Sequence, residues 1–230
     1  MSQTIKNWGF EALRFLHLEK PALAILKKIT ARYEYPYLKG VSFRGDTLFD
    51  IIRPNLKSGD NFLDIICGYS PLAGPLLKSG YQITGFDDNR QAIKDLRKIY
   101  PDGKWILSSY ENLKVQSDVD RGFSVFLLLG AFELCCQLSF LDLMGKLLDV
   151  NKPRVFFLET NRSIEKAPSM ASPFVEESAA MRSIHLKGYN AMLELLTSHG
   201  YEVTDVGQYD AQFKEKWATV RIYAILTAKN

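Results

Sequence analysis

Cysteine and histidine are both scarce in this chain of 230 residues, which contains three of each. The cysteines are Cys67, Cys135 and Cys136, and an odd number with two adjacent argues against a framework of disulfide bonds. All three lie in apolar stretches, so we predict reduced, buried thiols in a reducing compartment. The histidines are widely separated, and no spacing typical of a zinc site occurs. The sequence therefore predicts neither a disulfide scaffold nor a metal centre.

Long apolar runs are also absent. No run is long and apolar enough to cross a bilayer, and residues 1–6 lack the apolar core of a secretory signal. We therefore expect a cytoplasmic protein with no membrane partner. The hydrophobic fraction of 47% and the charged fraction of 24% are ordinary for a globular protein and allow a sizeable core.

The net charge of +3 is too small to indicate a nucleic-acid partner by itself. The charge is uneven, however, because residues 1–44 contain eight Lys or Arg residues and three Glu residues. Such a basic segment either faces an anionic substrate such as RNA or forms a solvated helix face. The sequence leaves both interpretations open.

The start of the chain is expected to form a short helical extension. Apolar residues recur at helical spacing in two stretches between residues 8 and 30. Asp46 is expected to cap a further helix that runs through Ile52. We therefore divide the chain into a helical N-terminal extension, residues 1–55, and a main domain, residues 56–230.

Strands and helices alternate along the first part of the main domain. Five short apolar runs are typical of buried strands, and helical stretches follow several of them. This alternation predicts a parallel, doubly wound sheet, because each crossover must return over one face of the sheet. The expected strands are 61–66, 82–86, 104–107, 123–129 and 154–158, and the expected helices are 70–79, 90–99 and 140–148.

The end of the chain has a different pattern. A helix is expected from about Ser178 to His199, followed by strands over 201–206 and 218–228 with no helix between them. We expect these strands to pair as an antiparallel hairpin at the sheet edge. The predicted fold class is therefore α/β: a doubly wound, mainly parallel seven-stranded sheet with an antiparallel C-terminal hairpin, plus a short helical N-terminal extension.

Acidic and glycine residues follow the first two predicted strands. In an open α/β sheet the ligand lies beyond the carboxyl ends of the strands, where the strand order reverses. The first strand ends near Asp64, and Gly68 lets the backbone approach a ligand closely. Asp87 ends the second strand, 23 residues after Asp64, and its carboxylate is suited to accept hydrogen bonds from both ribose hydroxyls. This pattern indicates a nucleoside-containing ligand.

These residues resemble the class I S-adenosylmethionine-dependent methyltransferase family. That family shows an apolar strand followed by (D/E)-x-G-x-G-x-G, and the matching run here is Asp64-Ile-Ile66-Cys-Gly68-Tyr-Ser70. The closing helix–strand–strand order is also similar, so the resemblance covers about residues 60–230. It implies S-adenosylmethionine as the cofactor.

The resemblance implies a role for each matching residue. Asp64 would lie near the methionine amino group, Gly68 against the cofactor, and Asp87 at the ribose hydroxyls. Arg44 would either bind the cofactor carboxylate or remain a solvent-facing charge. The remaining implied contacts are Tyr69 and Ser70 in the loop after the first strand, Asp88 and Asn89 beside the adenine, Ser109 and Tyr110 after the third strand, and Leu129, at the strand end that faces the methyl group in this family.

Three positions depart from the family pattern. Ile66 and Ser70 stand at the first and third glycine positions, and Ser109 stands where the family often has an acid. We expect Ile66 to require an ordinary β conformation and to place bulk near the methionine moiety. These departures favour cofactor binding more strongly than turnover.

Three residues are weak candidates for chemistry at the acceptor. Glu133 either orients a nucleophile or complements a helix dipole, and Glu159, after the fifth strand, is expected to line the acceptor pocket. His185 is a candidate base, although a surface or core histidine is the more frequent case. Cys135 and Cys136 are interpreted as a buried helix pair rather than as covalent catalysts.

The sequence therefore predicts methyl transfer from S-adenosylmethionine to nitrogen or oxygen of a small molecule or RNA. The alternative is a non-catalytic protein of the same fold that binds S-adenosylmethionine or S-adenosylhomocysteine, or serves as a scaffold. A nicotinamide-dependent oxidoreductase is disfavoured, because G-x-G-x-x-G is absent. The acceptor and the oligomeric state stay open.

Overall fold

The structure is a computed structural model that describes residues 41–115, 119, 122–131, 134–161, 179–213 and 217–229. The predicted helices between residues 8 and 30 lie outside the described residues. Residues 40–230 form one compact unit of the chain. The boundary expected between residues 55 and 56 stays a prediction.

A seven-stranded sheet forms the centre of this unit, in the order β3-β2-β1-β4-β5-β7-β6. The pairs β1–β2, β2–β3, β1–β4 and β4–β5 are parallel, whereas β5–β7 and β6–β7 are antiparallel. The predicted fold class is therefore confirmed, including the C-terminal hairpin at the edge. The strands are β1 (Asn61–Ile65), β2 (Gln82–Asp87), β3 (Lys104–Leu107), β4 (Val125–Leu129), β5 (Val155–Asn161), β6 (Tyr201–Phe213) and β7 (Trp217–Ala228).

Helices cover both faces of the sheet, because each parallel crossover must return over a face. They are α1 (Val41–Ile52), α2 (Ala73–Lys78), α3 (Arg90–Ile99), α4 (Leu138–Asn151) and α5 (Ala179–Ser198), with single 3-10 turns at Arg53–Asn55 and Leu134–Cys136. The bounds of α3 match the prediction, since the Asn89 side chain accepts hydrogen bonds from the Gln91 and Ala92 N–H groups at 3.1 Å.

Two predicted helix starts are wrong. Helix α1 begins at Val41, so Asp46 lies inside it and does not cap it. Helix α2 begins at Ala73 rather than at Ser70, because the backbone at Ser70 is left-handed, with a φ of 44°. The chain from Ile66 to Leu72 is therefore a loop, and this loop forms the candidate site.

Two hydrophobic cores lie on opposite faces of the sheet. Successive residues of a strand point to opposite faces, so Phe62 of β1 joins one core and Leu63 joins the other. The first core contains Leu48 of α1, Leu76 of α2 and Ile93 of α3, and the second contains Phe140 of α4 and Met192 of α5. Residues 125–128 of β4 and 155–158 of β5 are buried on both faces, which explains their uninterrupted apolar sequences.

The cysteine prediction is only partly correct. Cys67 and Cys135 are buried, but Cys136 is exposed. The reason is the 3-10 turn that contains Cys135 and Cys136, because neighbouring side chains in such a turn point about 120° apart. No disulfide joins the cysteines, and among the described residues no cluster of His, Cys, Asp and Glu is arranged to hold a metal ion. A helix with the length and apolar character of a membrane span was also not found in the described part of the chain.

Candidate functional site

The strand order reverses between β1 and β4, which start crossovers in opposite directions across the sheet. This is the position at which doubly wound sheets bind ligands, beyond the carboxyl ends of their strands. Asp64 lies near the carboxyl end of β1, Asp87 ends β2 and Leu129 ends β4. The topology therefore brings together residues that are far apart in the sequence.

The loop after β1 has the backbone of a glycine-rich loop, although it contains only one glycine. Ile66, Gly68 and Ser70 have φ values of 54°, 50° and 44°, all in the left-handed region. These are the three positions at which the family motif has glycine. The expectation that Ile66 adopts an ordinary β conformation is therefore wrong.

Hydrogen bonds within the loop and to β2 explain why Ile66 and Ser70 tolerate this conformation. The Cys67 N–H donates to the Phe86 carbonyl at 2.9 Å, and the Ser70 N–H donates to the Cys67 carbonyl at 2.6 Å. The Gly68 N–H donates to Oδ2 of Asp87 at 2.7 Å. A left-handed non-glycine residue costs about 1–2 kcal/mol, and these tertiary contacts offset that cost.

Asp64 and Ser70 form a buried pair at the base of the loop. Both residues have no exposed surface, and the Ser70 hydroxyl donates to Oδ2 of Asp64 at 2.5 Å. Short contacts of this kind are typical of a donor that binds an ionised acceptor. The side chain of Ser70 thus supplies an interaction that glycine would not.

Asp87 connects the loop after β1 to the end of β2. Its Oδ2 accepts from the Gly68 N–H and its Oδ1 from the Asn89 N–H, each at 2.7 Å. Burial raises the pKa of Asp87 above its ordinary value, although the two backbone hydrogen bonds act in the opposite direction. The carboxylate therefore stands where β1 and β2 end, and a ligand with hydroxyl donors would favour its ionised form.

The other residues expected around the adenine occupy the ends of β2 and β3. Asp88 and Asn89 are exposed, and the Asn89 side chain caps the N-terminus of α3. Ser109 accepts a hydrogen bond from Nδ2 of Asn112 at 2.9 Å. The Tyr110 ring packs edge-on against Phe140 of α4 with centroids 5.4 Å apart, and its hydroxyl donates to Gln137. Contacts of these residues with adenine stay a prediction.

Glu159 belongs to a buried polar cluster that the sequence did not reveal. Its Oε1 accepts from the Tyr209 hydroxyl at 2.6 Å, and Nη1 of Arg221 lies 3.0 Å and 3.1 Å from Oε1 and Oε2. Glu159 has no exposed surface, and Tyr209 and Arg221 are each 9% exposed. We name Glu159, Tyr209 and Arg221 the β5–β7 cluster, because it connects the parallel strands to the hairpin.

One sequence signal could have revealed the β5–β7 cluster. Arg221 is the one charged residue in the apolar run 217–228, and a charge in such a strand needs a buried partner. The buried ion pair gives Glu159 a structural role, and its place in the acceptor pocket stays a prediction. Of the other candidates, Glu133 lies outside the described residues. Arg44 lies in α1 and His185 in α5, but their side chains are outside the described part of the chain.

Helix α1 supports the loop after β1 through a close contact at Gly45. A Cβ atom on Gly45 would lie 2.0 Å from the Pro71 carbonyl oxygen, so only glycine allows the helix to approach this closely. The Pro71 carbonyl oxygen belongs to the backbone, so it cannot move away from the Cβ by a change of side-chain rotamer. The position of α1 is therefore coupled to the position of the loop.

We expect Gly45→Ala to lower the free energy of unfolding by about 1–3 kcal/mol, because the added methyl group forces α1 away from the loop. Thermal unfolding followed by circular dichroism would show a melting temperature lower by roughly 2–12 °C. The control is Gly145→Ala in α4, where the nearest atom to the new Cβ is 3.8 Å away, so this variant is expected to be more stable than the parent. Equal melting temperatures for the Gly45→Ala variant and the parent would contradict the close contact.

Comparisons with known proteins agree with this geometry at the level of the fold. No family model matches the chain, and no curated protein matches it. Among solved structures, the chain is similar to a TehB-like SAM-dependent methyltransferase from Corynebacterium glutamicum, with 13% identity, a TM-score of 0.54, and 90% of this chain and 99% of that chain covered.

Two further similar structures contain the cofactor or its product. The glycopeptide N-methyltransferase MtfA, complexed with S-adenosylmethionine, has 11% identity and a TM-score of 0.55, with 81% of this chain and 88% of that chain covered. The plantazolicin methyltransferase BpumL, in complex with a triazolic desmethylPZN analog and SAH, has 16% identity and a TM-score of 0.55, with 100% of each chain covered. The chain has the fold of the class I S-adenosylmethionine-dependent methyltransferases.

Proposed function

We propose that this protein binds S-adenosylmethionine in the crevice between β1 and β4 and transfers its methyl group to nitrogen or oxygen of an acceptor. The observation that carries the proposal is the loop after β1, in which Ile66, Gly68 and Ser70 all have the left-handed backbone of a glycine-rich loop. A strained backbone at a β-branched residue persists only where the surrounding contacts require it, and such strain concentrates at functional sites.

The residues at the crevice fit the chemical groups of the cofactor. No heavy atom lies within 4 Å of the position that a Cβ on Gly68 would occupy, so the loop presents open space there. Asp64 would accept from the ammonium group of the methionine moiety, directly or through water, and Asp87 from the ribose hydroxyls. Ser109 and Tyr110, after β3, and Asp88 and Asn89, after β2, would surround the adenine, while Tyr69, Leu129 and Arg44 complete the proposed set.

The bound cofactor supplies a sulfonium-activated methyl group, and the residues of this chain supply position and environment. Gly68 and Asp87 would fix the ribose, and Asp64 would fix the amino acid end. Leu129, at the end of β4, would line the part of the crevice that holds the methyl group and the acceptor. Alignment of this kind accounts for a large part of the rate enhancement in a displacement reaction.

The acceptor is proposed to be a small molecule or an RNA. A glycopeptide N-methyltransferase and a plantazolicin methyltransferase share this fold, so the fold alone does not define the acceptor. The basic excess of residues 1–44 favours an anionic acceptor. We propose a cytoplasmic location, because the three cysteines are free.

Isothermal titration calorimetry with S-adenosylhomocysteine tests the binding half of this proposal. We expect one site per chain with micromolar affinity, and no heat above dilution for NADH under the same conditions. Binding of NADH instead of S-adenosylhomocysteine would contradict the proposal and favour an oxidoreductase. No binding of either ligand would also contradict it.

Methyl transfer is tested with tritium-labelled S-adenosylmethionine and separated RNA, protein and small-molecule fractions of a cell extract. We expect label in one fraction, and none when the Asp87→Asn variant replaces the parent. Tight binding without transfer to any fraction would instead support the non-catalytic alternative, a cofactor-binding or scaffold protein.

A further inference from the structure

Ser70 has a backbone conformation that glycine adopts at a lower free energy. Its backbone is left-handed, with a φ of 44°, and its side chain is fully buried. Glycine adopts this conformation without steric strain. The hydroxyl of Ser70 must therefore contribute something that offsets the strain, and its one described partner is Oδ2 of Asp64, at 2.5 Å.

We propose that Ser70 is a positioning residue of the cofactor site, whose hydroxyl fixes the carboxylate of Asp64 in the orientation that receives the ammonium group of S-adenosylmethionine. This inference rests on the proposed function. Ser70 then has a role in ligand binding in addition to its role in the shape of the loop.

The position of the Ser70 hydroxyl is itself fixed by the surrounding backbone. The Ser70 N–H donates to the Cys67 carbonyl at 2.6 Å, and the Ser70 carbonyl accepts from the Ala73 N–H at 3.0 Å. Within the described part of the chain, three hydrogen bonds hold this residue, two through the backbone and one through the side chain. The hydroxyl is consequently a fixed donor rather than a mobile one.

A fixed donor matters because an aspartate carboxylate rotates over a broad range about its last side-chain torsion. A hydrogen bond to Oδ2 restricts this rotation and thereby sets the direction in which the rest of the carboxylate faces. An acceptor that is oriented before the ligand arrives loses less entropy when the ligand binds. Removal of the hydroxyl should therefore weaken the contact with the amino acid end of the cofactor and leave the contacts with the nucleoside end intact.

The test compares two ligands on the Ser70→Gly variant by calorimetry. S-adenosylhomocysteine carries the ammonium group, whereas 5′-methylthioadenosine has the same nucleoside and lacks the amino acid end. We expect the variant to bind S-adenosylhomocysteine about 10-fold more weakly than the parent, the size expected when one hydrogen bond to a charged group is lost. Its affinity for 5′-methylthioadenosine should change by less than about 2-fold on the same scale.

Two further variants separate the hydroxyl from the backbone. Ser70→Ala keeps the β-carbon and removes only the hydroxyl, and it should show the same selective loss. Lys152→Gly relieves a left-handed residue, with a φ of 49°, at the end of α4, and it should raise the melting temperature without changing either affinity.

Parental affinity of the Ser70→Gly variant for S-adenosylhomocysteine would overturn the inference, since serine would then only replace glycine. Equal weakening for both ligands would also overturn it, because the effect would lie in the shape of the loop. If the parent itself bound neither ligand, the proposed function would fail first. The parent measurement thus separates the two failures.

Discussion

Replacement of Arg221 with methionine is expected to lower the free energy of unfolding by about 3–5 kcal/mol, because it leaves the carboxylate of Glu159 buried without its cation. Glu159 has no exposed surface, and the guanidinium lies 3.0 Å from its Oε1. Chemical denaturation followed by tryptophan fluorescence measures this change. The melting temperature should decrease by roughly 6–20 °C.

The expected loss of stability comes from the buried charge that remains on Glu159, and not from the lost attraction between Glu159 and Arg221. The double variant Glu159→Leu with Arg221→Met removes both charges, and it should recover most of the stability that Arg221→Met alone loses. Tyr209→Phe removes only the hydroxyl that donates to Glu159, and it should cost about 1 kcal/mol. A loss of less than about 1 kcal/mol for Arg221→Met would contradict this account, because it would show that water reaches the β5–β7 cluster.

Substitution of Asp87 with asparagine is expected to weaken S-adenosylhomocysteine binding by about 100-fold or more, because two ribose hydroxyls lose a charged acceptor. The amide also cannot accept from both the Gly68 and the Asn89 N–H groups, which the carboxylate does in the parent. Calorimetry with the parent and the variant gives the ratio of affinities. The control is Asp102→Asn, an exposed position in the turn before β3, which should bind like the parent.

The raised pKa of Asp87 adds a pH dependence to this result. Because burial raises the pKa, the empty site takes up a proton more readily than the unfolded chain. The stability that Asp87 contributes therefore falls as the pH rises from about 4 through the raised pKa. Ribose hydroxyls donate to the ionised form, so ligand binding should release a proton in that window, and affinity should increase with pH.

This pH dependence is measured with 5′-methylthioadenosine, which lacks the amino acid groups of the cofactor. The parent should bind it more tightly as the pH rises through this window, and the Asp87→Asn variant should not show the change. The same slope in both proteins would assign the titration to another group.

The sheet could be predicted because the sequence patterns that define its strands and helices are local. β3 and α3 have their predicted bounds, since a short apolar run and an Asn89 cap each define an element without distant contacts. The parallel pairing of β1 to β5 followed from the β/α alternation, and the hairpin followed from the absence of a helix between β6 and β7. The hairpin strand β6 is longer than expected, reaching Phe213, because it is extended by pairing with β7.

The details of the candidate site depend on distant contacts, which the sequence does not display. Ile66 is a β-branched residue with a strong preference for extended backbone, and only its neighbours' bonds to Phe86 and Asp87 account for its left-handed conformation. Helix α1 begins before the expected cap at Asp46, and Gly45 lies inside it against Pro71. In both cases tertiary contact overrides the local preference of the residue.

A crystal structure of the protein with saturating S-adenosylhomocysteine shows where the ligand lies relative to Asp87. We expect density for the nucleoside beyond the carboxyl ends of β1 and β2, with both ribose hydroxyls within hydrogen-bonding distance of the Asp87 carboxylate. Density elsewhere on the molecule, or an empty crevice in crystals grown at saturation, would contradict this expectation.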